Sequence, residues 1–118
     1  MRVLFIGQAA FGRDCLKALM DQGEEVVGVL TVADRPGKEK ANPVKELAFE
    51  IGLPVCQPQR IKDRETHEIV ENLRPDLLVL AFVTEIVPQT MIDLATWGGI
   101  NFHPSLLPAY RGGSAMNW

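Results

Sequence analysis

The chain has 118 residues, 47% of them hydrophobic and 23% charged, which suits one ordinary globular domain. Twelve Lys and Arg against fifteen Asp and Glu give a net charge of −3, which argues against general binding to nucleic-acid phosphates. No apolar stretch approaches the roughly 20 residues of a membrane span, and Arg2 and Asp14 break up a signal peptide, so we expect a cytoplasmic protein with no membrane partner. Cys15 and Cys56 have neither disulfide-framework nor zinc-site spacing and are expected to be buried thiols.

Short β-rich runs alternate with helical patterns from the N-terminus onward. Residues 2–6 form an apolar run typical of a central parallel strand. Residues 10–22 then repeat apolar side chains near helical spacing until Gly23. Residues 25–32 predict a second strand, and the polar stretch at 34–42, with its prolines and glycine, predicts an exposed loop.

The second half of the chain continues the alternation. Asn42 as N-cap and Pro43 at the first helical position predict the start of a helix that ends at Gly52. A short strand is predicted at Val55 and Cys56. A third helix is predicted with Thr66, Ile69, Val70 and Leu73 on one face, and Pro75 ends it. A strand at 76–83, a short helix at 88–95 and a strand at 99–102 follow. With right-handed crossovers, this order predicts an α/β fold with a doubly wound, mainly parallel sheet.

Ligands of such sheets bind where the strands end, at their carboxyl edge. Four loops are therefore candidates: residues 7–12, 31–42, 82–88 and 103–113. The first loop reads G-x-A-x-x-G, one glycine short of the dinucleotide fingerprint and without the ending of a Walker loop. It favours a tight strand-to-helix turn, with an anion or substrate contact at the helix N-terminus as the alternative.

The second loop carries charges of both signs. Asp34 occupies the place of a ribose-binding acid in a dinucleotide fold, which leaves open a noncatalytic nucleotide-binding module. The alternative interpretation is an ordinary solvated loop. Two interpretations are also open for the basic residues of this loop, which are Arg35, Lys38 and Lys40. They form either a small basic patch for an anionic substrate or ordinary surface charge.

The third loop follows a buried strand with four apolar side chains and one acid. These residues are Phe82, Val83, Glu85, Ile86 and Val87. Together they predict either a pocket for a flat aromatic ligand or a seal over the end of the sheet.

The segment NFHPSLLP, which begins at Asn101, carries the strongest signal for chemistry. Residues two apart in a strand face the same side, so Asn101 and His103 are expected to project together. A carboxamide can donate to a developing oxyanion, and an imidazole can exchange a proton with an attacking amine or water. Pro104 and Pro108 restrain the loop that follows. His67, on a charged helix face, is interpreted as structural.

The segment GGINFHPSLLPAYRGGSAMNW resembles the signature of the 10-formyltetrahydrofolate-dependent formyltransferase family. Four earlier segments match in order and spacing: RVLFIGQAAFG, GVLTVADRPGK, NPVKELAFEIGLPVCQP and DLLVLAFV. The similarity spans the whole chain. Within the family, it is greatest to methionyl-tRNA formyltransferases and to the hydrolase domain of formyltetrahydrofolate dehydrogenase.

This resemblance implies a Rossmann-like fold and transfer of a formyl group from 10-formyltetrahydrofolate to an amine acceptor. It implies that Asn101 stabilises the oxyanion and that His103 assists proton transfer. The residues it implies for folate binding are Ser105, Leu106, Leu107 and Pro108, together with Phe82, Val83, Glu85, Ile86 and Val87 of the third loop. The alternative of hydrolysing 10-formyltetrahydrofolate is disfavoured, because the hydrolase domain has an apolar residue where Asn101 stands.

The resemblance also sets expectations about completeness. The family's third catalytic group is an aspartate well downstream of the HPSLLP segment, beyond Trp118, so residues 1–118 are expected to be a single, incomplete N-terminal domain that is inactive alone. A sheet truncated after its fifth strand would expose an edge and promote self-association. The loop at 35–42 is shorter than the basic insertion typical of methionyl-tRNA formyltransferases, which leaves the acceptor open, aminoacyl-tRNA included.

Overall fold

The computed structural model describes residues 1–34 and 41–102, together with the backbone of residues 115–117. The elements of this part are β1 (Arg2–Gly7), α1 (Ala9–Asp21), β2 (Glu25–Leu30), α2 (Pro43–Glu50), β3 (Val55–Cys56), α3 (Arg64–Leu73), β4 (Leu77–Ala81), α4 (Gln89–Ile92), β5 (Gly99–Phe102) and β6 (Ala115–Asn117). From β1 to β5, strands and helices alternate as the sequence pattern predicts. No helix in the described ranges is both long and apolar enough to cross a membrane.

The strands form one sheet in the order β3-β2-β1-β4-β5-β6. The first five strands are parallel to one another, which confirms the predicted α/β architecture. The chain runs outward from β1 through β2 to β3 and then returns to place β4 on the other side of β1. The boundary between β1 and β4 is therefore the topological switch point, where the crevice of a doubly wound sheet lies.

The predicted open edge at β5 is wrong, because β6 pairs with β5 in antiparallel orientation. Ile100 lies opposite Asn117, and Phe102 lies opposite Ala115. The chain turns back after β5 and supplies partners for backbone groups that would otherwise face solvent. The sheet thus continues past its fifth strand, and β6 takes the place of β5 at this edge. Self-association stays a prediction.

Helices cover both faces of the sheet and divide the core into two layers. The layer beneath α1 and α2 contains Val3, Phe5, Leu16, Val26, Val29, Val44, Ala48, Val79 and Ala81. The layer beneath α3 and α4 contains Leu4, Ile6, Leu30, Ile61, Val70, Leu78, Leu80, Val87, Met91, Ile92 and Ala95. Successive residues of β1 alternate between the two layers, as the two-residue period of a strand requires. This burial on both faces explains its uninterrupted apolar run.

Several element boundaries are shorter than the sequence predicts. β4 ends at Ala81 because Phe82 takes a φ of +56°, which is incompatible with a continuing strand. α4 spans four residues, and the chain then continues in tight turns, with the N–H of Leu94 donating to the carbonyl of Met91 at 3.1 Å. Ile69, expected on the buried face of α3, is 39% exposed, since the two-residue β3 leaves little sheet beside it to cover that side chain.

The start of α2 confirms the predicted cap. The Asn42 Oδ1 atom accepts a hydrogen bond from the N–H of Lys45 at 3.1 Å, and Pro43 is the first helical residue.

Both cysteines are free and only half-buried, so the expected full burial is wrong. Burial nonetheless raises the pKa of the Cys15 and Cys56 thiols.

Glycine at the end of β1 lets β1 and β4 approach closely. A Cβ atom on Gly7 would lie 2.7 Å from the ring of Phe5 and 3.0 Å from the carbonyl oxygen of Ala81. Phe5 is fully buried, so its ring has no space to move into. A Cβ on Gly28 would lie 2.8 Å from Leu73 Cδ1, but that atom is the end of a half-buried, flexible side chain.

We therefore expect Gly7→Ala to lower the free energy of unfolding by about 1–3 kcal/mol, the usual cost of overpacking a core. The matched variant Gly28→Ala should cost less, because Leu73 can rotate away. Urea unfolding followed by circular dichroism measures both. Equal losses for the two variants would contradict this account of the β1 end.

Candidate functional site

Asn101 belongs to a row of paired residues that crosses the sheet. Leu30 pairs with Ile6, Ile6 with Leu80, and Leu80 with Asn101. Paired residues of neighbouring strands share one face of a sheet, and the three apolar members belong to the core layer beneath α3 and α4. Asn101 therefore faces that layer from β5, and it is only 6% exposed. A buried carboxamide is costly unless its polar atoms are hydrogen-bonded.

An open cleft lies over the same row, at the carboxyl ends of β1 and β2 and beside the segment that follows β4. Its empty volume, which includes space open to solvent, is about 330 Å³. Its lining residues are Ile6, Gly7, Gln8, Leu30, Thr31, Val32, Pro58, Ile61, Val83, Thr84 and Glu85. Ile6 and Leu30 are members of the row that contains Asn101, which lies two strands away from β1, or about 10 Å at ordinary strand spacing. The cleft thus lies at the carboxyl edge of the sheet, where the sequence predicts a ligand.

The third loop contributes both to the cleft and to the core. Val83 and Glu85 line the cleft. Val87 is only 4% exposed and packs in the core layer. Phe82 is half-buried, and Ile86 is 87% exposed.

The backbone of Phe82 directs this loop away from the sheet. Its φ of +56° lies in the left-handed region, which costs a non-glycine residue roughly 1–2 kcal/mol. The Phe82 N–H donates to the carbonyl of Phe102 at 3.0 Å, so the end of β5 fixes the turn. Strain of this kind persists only where the surroundings determine it, and it concentrates at functional sites.

A hydrogen bond joins the third loop to the opposite wall of the cleft. The Glu85 Oε2 atom accepts from the N–H of Ile61 at 2.8 Å. Sequence reasoning missed residues 58–61 as part of the site. The contact joins residues 24 positions apart, and no local pattern in the sequence indicates such a pairing.

The first loop forms the predicted tight turn from strand to helix. Ala9, its third residue, has a φ of +64°, and the N–H of Gly12 donates to the carbonyl of Gln8 at 3.0 Å. The Gln8 N–H faces β4, where the carbonyl of Ala81 lies 3.4 Å away. Gly7 and Gln8 of this turn line the cleft.

Asp34 is held by two neighbours at the end of β2. Its carboxylate accepts from Lys45 Nζ at 2.7 Å and from Gln57 Nε2 at 3.1 Å. These hydrogen bonds, the one from Lys45 foremost, lower the pKa of Asp34. The carboxylate therefore serves the local loop structure, which favours the solvated-loop interpretation over ribose binding. Arg35, Lys38 and Lys40 lie outside the described residues.

The whole fourth loop, residues 103–113, also lies outside the described residues. The predicted site residues concerned are His103, Ser105, Leu106, Leu107 and Pro108. Of the two predicted catalytic residues, Asn101 is thus the one whose position is known. The end of β5 directs the chain toward the same carboxyl edge that carries the third loop.

The ion pair between Asp34 and Lys45 yields a prediction about pH. Because the pKa of Asp34 is lowered in the folded chain, its stabilising contribution is present above the unfolded pKa and is lost as pH falls through the folded pKa. We expect Lys45→Met to raise the pKa of Asp34, as measured by NMR titration of the carboxyl carbon. Lys17→Met, which removes the exposed pair with Asp21, is the control and should leave Asp34 unchanged. An unchanged Asp34 pKa in Lys45→Met would contradict the assignment.

The sequence of this chain is similar to those of enzymes that transfer formyl groups. The profile of the family described as "Formyl transferase" matches residues 1–118. A methionyl-tRNA formyltransferase of Alkaliphilus oremlandii is 40% identical, over all of this chain and 39% of its own length. That of Dehalococcoides mccartyi is 42% identical, over 98% of this chain and 38% of its own length. The chain thus spans about two fifths of the length of these curated relatives.

Solved structures show the same fold. Glycinamide ribonucleotide transformylase 1 from Symbiobacterium toebii is 25% identical, with a TM-score of 0.62 over 95% of this chain and 56% of that one. Phosphoribosylglycinamide formyltransferase from Anaplasma phagocytophilum is 23% identical, with a TM-score of 0.64 over 95% of this chain and 53% of that one. The sheet is therefore the Rossmann-like sheet of these enzymes. Since the family profile covers the whole chain, the chain belongs to the formyltransferase family.

Proposed function

We propose that this chain is the N-terminal domain of an enzyme that transfers the formyl group of 10-formyltetrahydrofolate to an amine. The observation that carries the proposal is the position of Asn101, a carboxamide buried at the end of β5 on the face of the sheet over which the cleft opens. An amide N–H held in a water-poor site can stabilise charge that develops on a carbonyl oxygen during acyl transfer.

In the proposed reaction, the nitrogen of the acceptor amine forms a bond to the formyl carbon, and the formyl oxygen becomes an oxyanion. The Asn101 side chain donates to that oxyanion. His103 takes a proton from the attacking nitrogen and returns one to N10 of the folate as the bond between carbon and N10 breaks. The products are tetrahydrofolate and the formylated amine, so no oxidant or reductant is required.

We assign the folate to the cleft beside the third loop. Val83 and Glu85 supply part of its wall, and Phe82, Ile86 and Val87 shape and seal the loop. Ser105, Leu106, Leu107 and Pro108 are proposed to contact the folate as well. A flat pterin suits a narrow apolar cleft with a few polar groups at its margin.

For the acceptor, we propose the amino group of an aminoacyl-tRNA. The support is the 40% identity, over the full chain, to relatives named methionyl-tRNA formyltransferase. The nucleotide-binding alternative is weakened because Asp34 is engaged by Lys45 and Gln57. The cytoplasmic location and the need for a further carboxylate remain predictions.

We expect Asn101→Ala to lower the rate of formyl transfer about 100- to 1000-fold, the usual effect of losing one oxyanion donor. The affinity for the donor should change little, because the interaction develops in the transition state. Transfer from 10-formyltetrahydrofolate to methionyl-tRNA is to be measured on the product of the complete reading frame. Donor affinity is to be measured by calorimetry with the stable analogue 5-formyltetrahydrofolate.

Asn72→Ala, which changes an exposed residue of α3, is the matched control. It should leave both the transfer rate and the donor affinity unchanged. An Asn101→Ala rate equal to that of the wild type would remove Asn101 from the mechanism. Failure of the wild type to bind any reduced folate would overturn the choice of donor.

A further inference from the structure

The two walls of the cleft come from parts of the chain that are distant in sequence. Val83, Thr84 and Glu85 form one wall, and Pro58 and Ile61 form part of the other. The hydrogen bond from the Ile61 N–H to the Glu85 carboxylate, 2.8 Å long and partly buried, connects them.

The wall that contains Ile61 is fixed independently of this bond. Ile61 is 7% exposed and packs into the core layer beneath α3 and α4. The carbonyl of Arg60 accepts from the N–H of Asp63 at 3.1 Å and from the Thr66 hydroxyl at 3.3 Å. Thr66 is itself buried, so residues 60–63 are tied to the first turn of α3.

The third loop, by contrast, is anchored at its ends. Phe82 is held by the carbonyl of Phe102, and Val87 is buried in the core. Between these anchors, Thr84 and Ile86 are exposed, as a span with little packing would be. The Glu85 carboxylate reaches from the middle of this span to the fixed wall.

We propose that Glu85 is a positioning residue, which holds the middle of the third loop against Ile61 and so sets the width of the cleft that receives the pterin of the folate. This inference rests on the proposed function. Glu85 acts through the loop and not on the reacting atoms. An acceptor oxygen at this position is therefore what matters, and glutamine supplies one at nearly the same place.

The test compares Glu85→Ala, Glu85→Gln and a control, Glu50→Ala, which changes an exposed carboxylate at the end of α2. The affinity for 5-formyltetrahydrofolate is measured by calorimetry, and amide hydrogen exchange of Ile61 is measured by NMR. We expect Glu85→Ala to bind the folate about three- to tenfold more weakly, the range expected for one net hydrogen bond. Exchange at Ile61 should become faster in the same variant.

Glu85→Gln should restore both quantities to near the wild-type values, and Glu50→Ala should change neither. Thermal unfolding should be almost the same in all four proteins, which separates a local change in the loop from loss of the fold. A Glu85→Gln affinity as weak as that of Glu85→Ala would overturn the proposal in favour of direct recognition of the folate by the charge.

The failures of the two proposals are distinguishable. Wild-type protein that binds no reduced folate overturns the proposed function and, with it, the ligand assigned to this cleft. Unchanged exchange of the Ile61 amide in Glu85→Ala overturns the connection between the walls, whatever the ligand.

Discussion

The parallel pairing of β1 with β4 is the constraint on which the site depends. Gly7 lies opposite Ala81, with no space for a side chain between the strands and the buried ring of Phe5. This close contact brings the turn after β1 beside the loop that follows β4, and the cleft opens where they meet. β5 then joins the free side of β4 and places Asn101 on the same face. A wider separation at Gly7 would move the turn after β1 away from the loop that follows β4.

Much of this architecture could be predicted from the sequence because it depends on local patterns. The apolar run at residues 2–6 indicates a strand covered on both faces, and β1 is such a strand. Asn42 followed by Pro43 indicates the start of a helix through chemistry that involves only neighbouring residues. The placement of Asn101 at the end of a strand also followed from its neighbours, although its burial depends on the strands beside it.

The rest depends on contacts that no local pattern encodes. β6 is three residues long and exists as a strand because β5 offers a partner. Phe82 has a left-handed backbone conformation, which is unfavourable for a residue other than glycine. The hydrogen bond from its N–H to the carbonyl of Phe102 fixes this conformation. The bond between Glu85 and Ile61 requires α3 and the third loop to be in place first. Such features arise from tertiary structure, and two of them shape the proposed folate cleft.

The proposed folate site lies at the third loop, on the same face of the sheet as Asn101. Folate binding there can be tested by an NMR titration of the isotope-labelled chain with 5-formyltetrahydrofolate. We expect saturable shifts of the Val83 and Glu85 amides and of the Asn101 side-chain amide, with residues on the outer face of α1 unaffected. Shifts confined to the end of β2 around Asp34, with none at Asn101, would contradict the account.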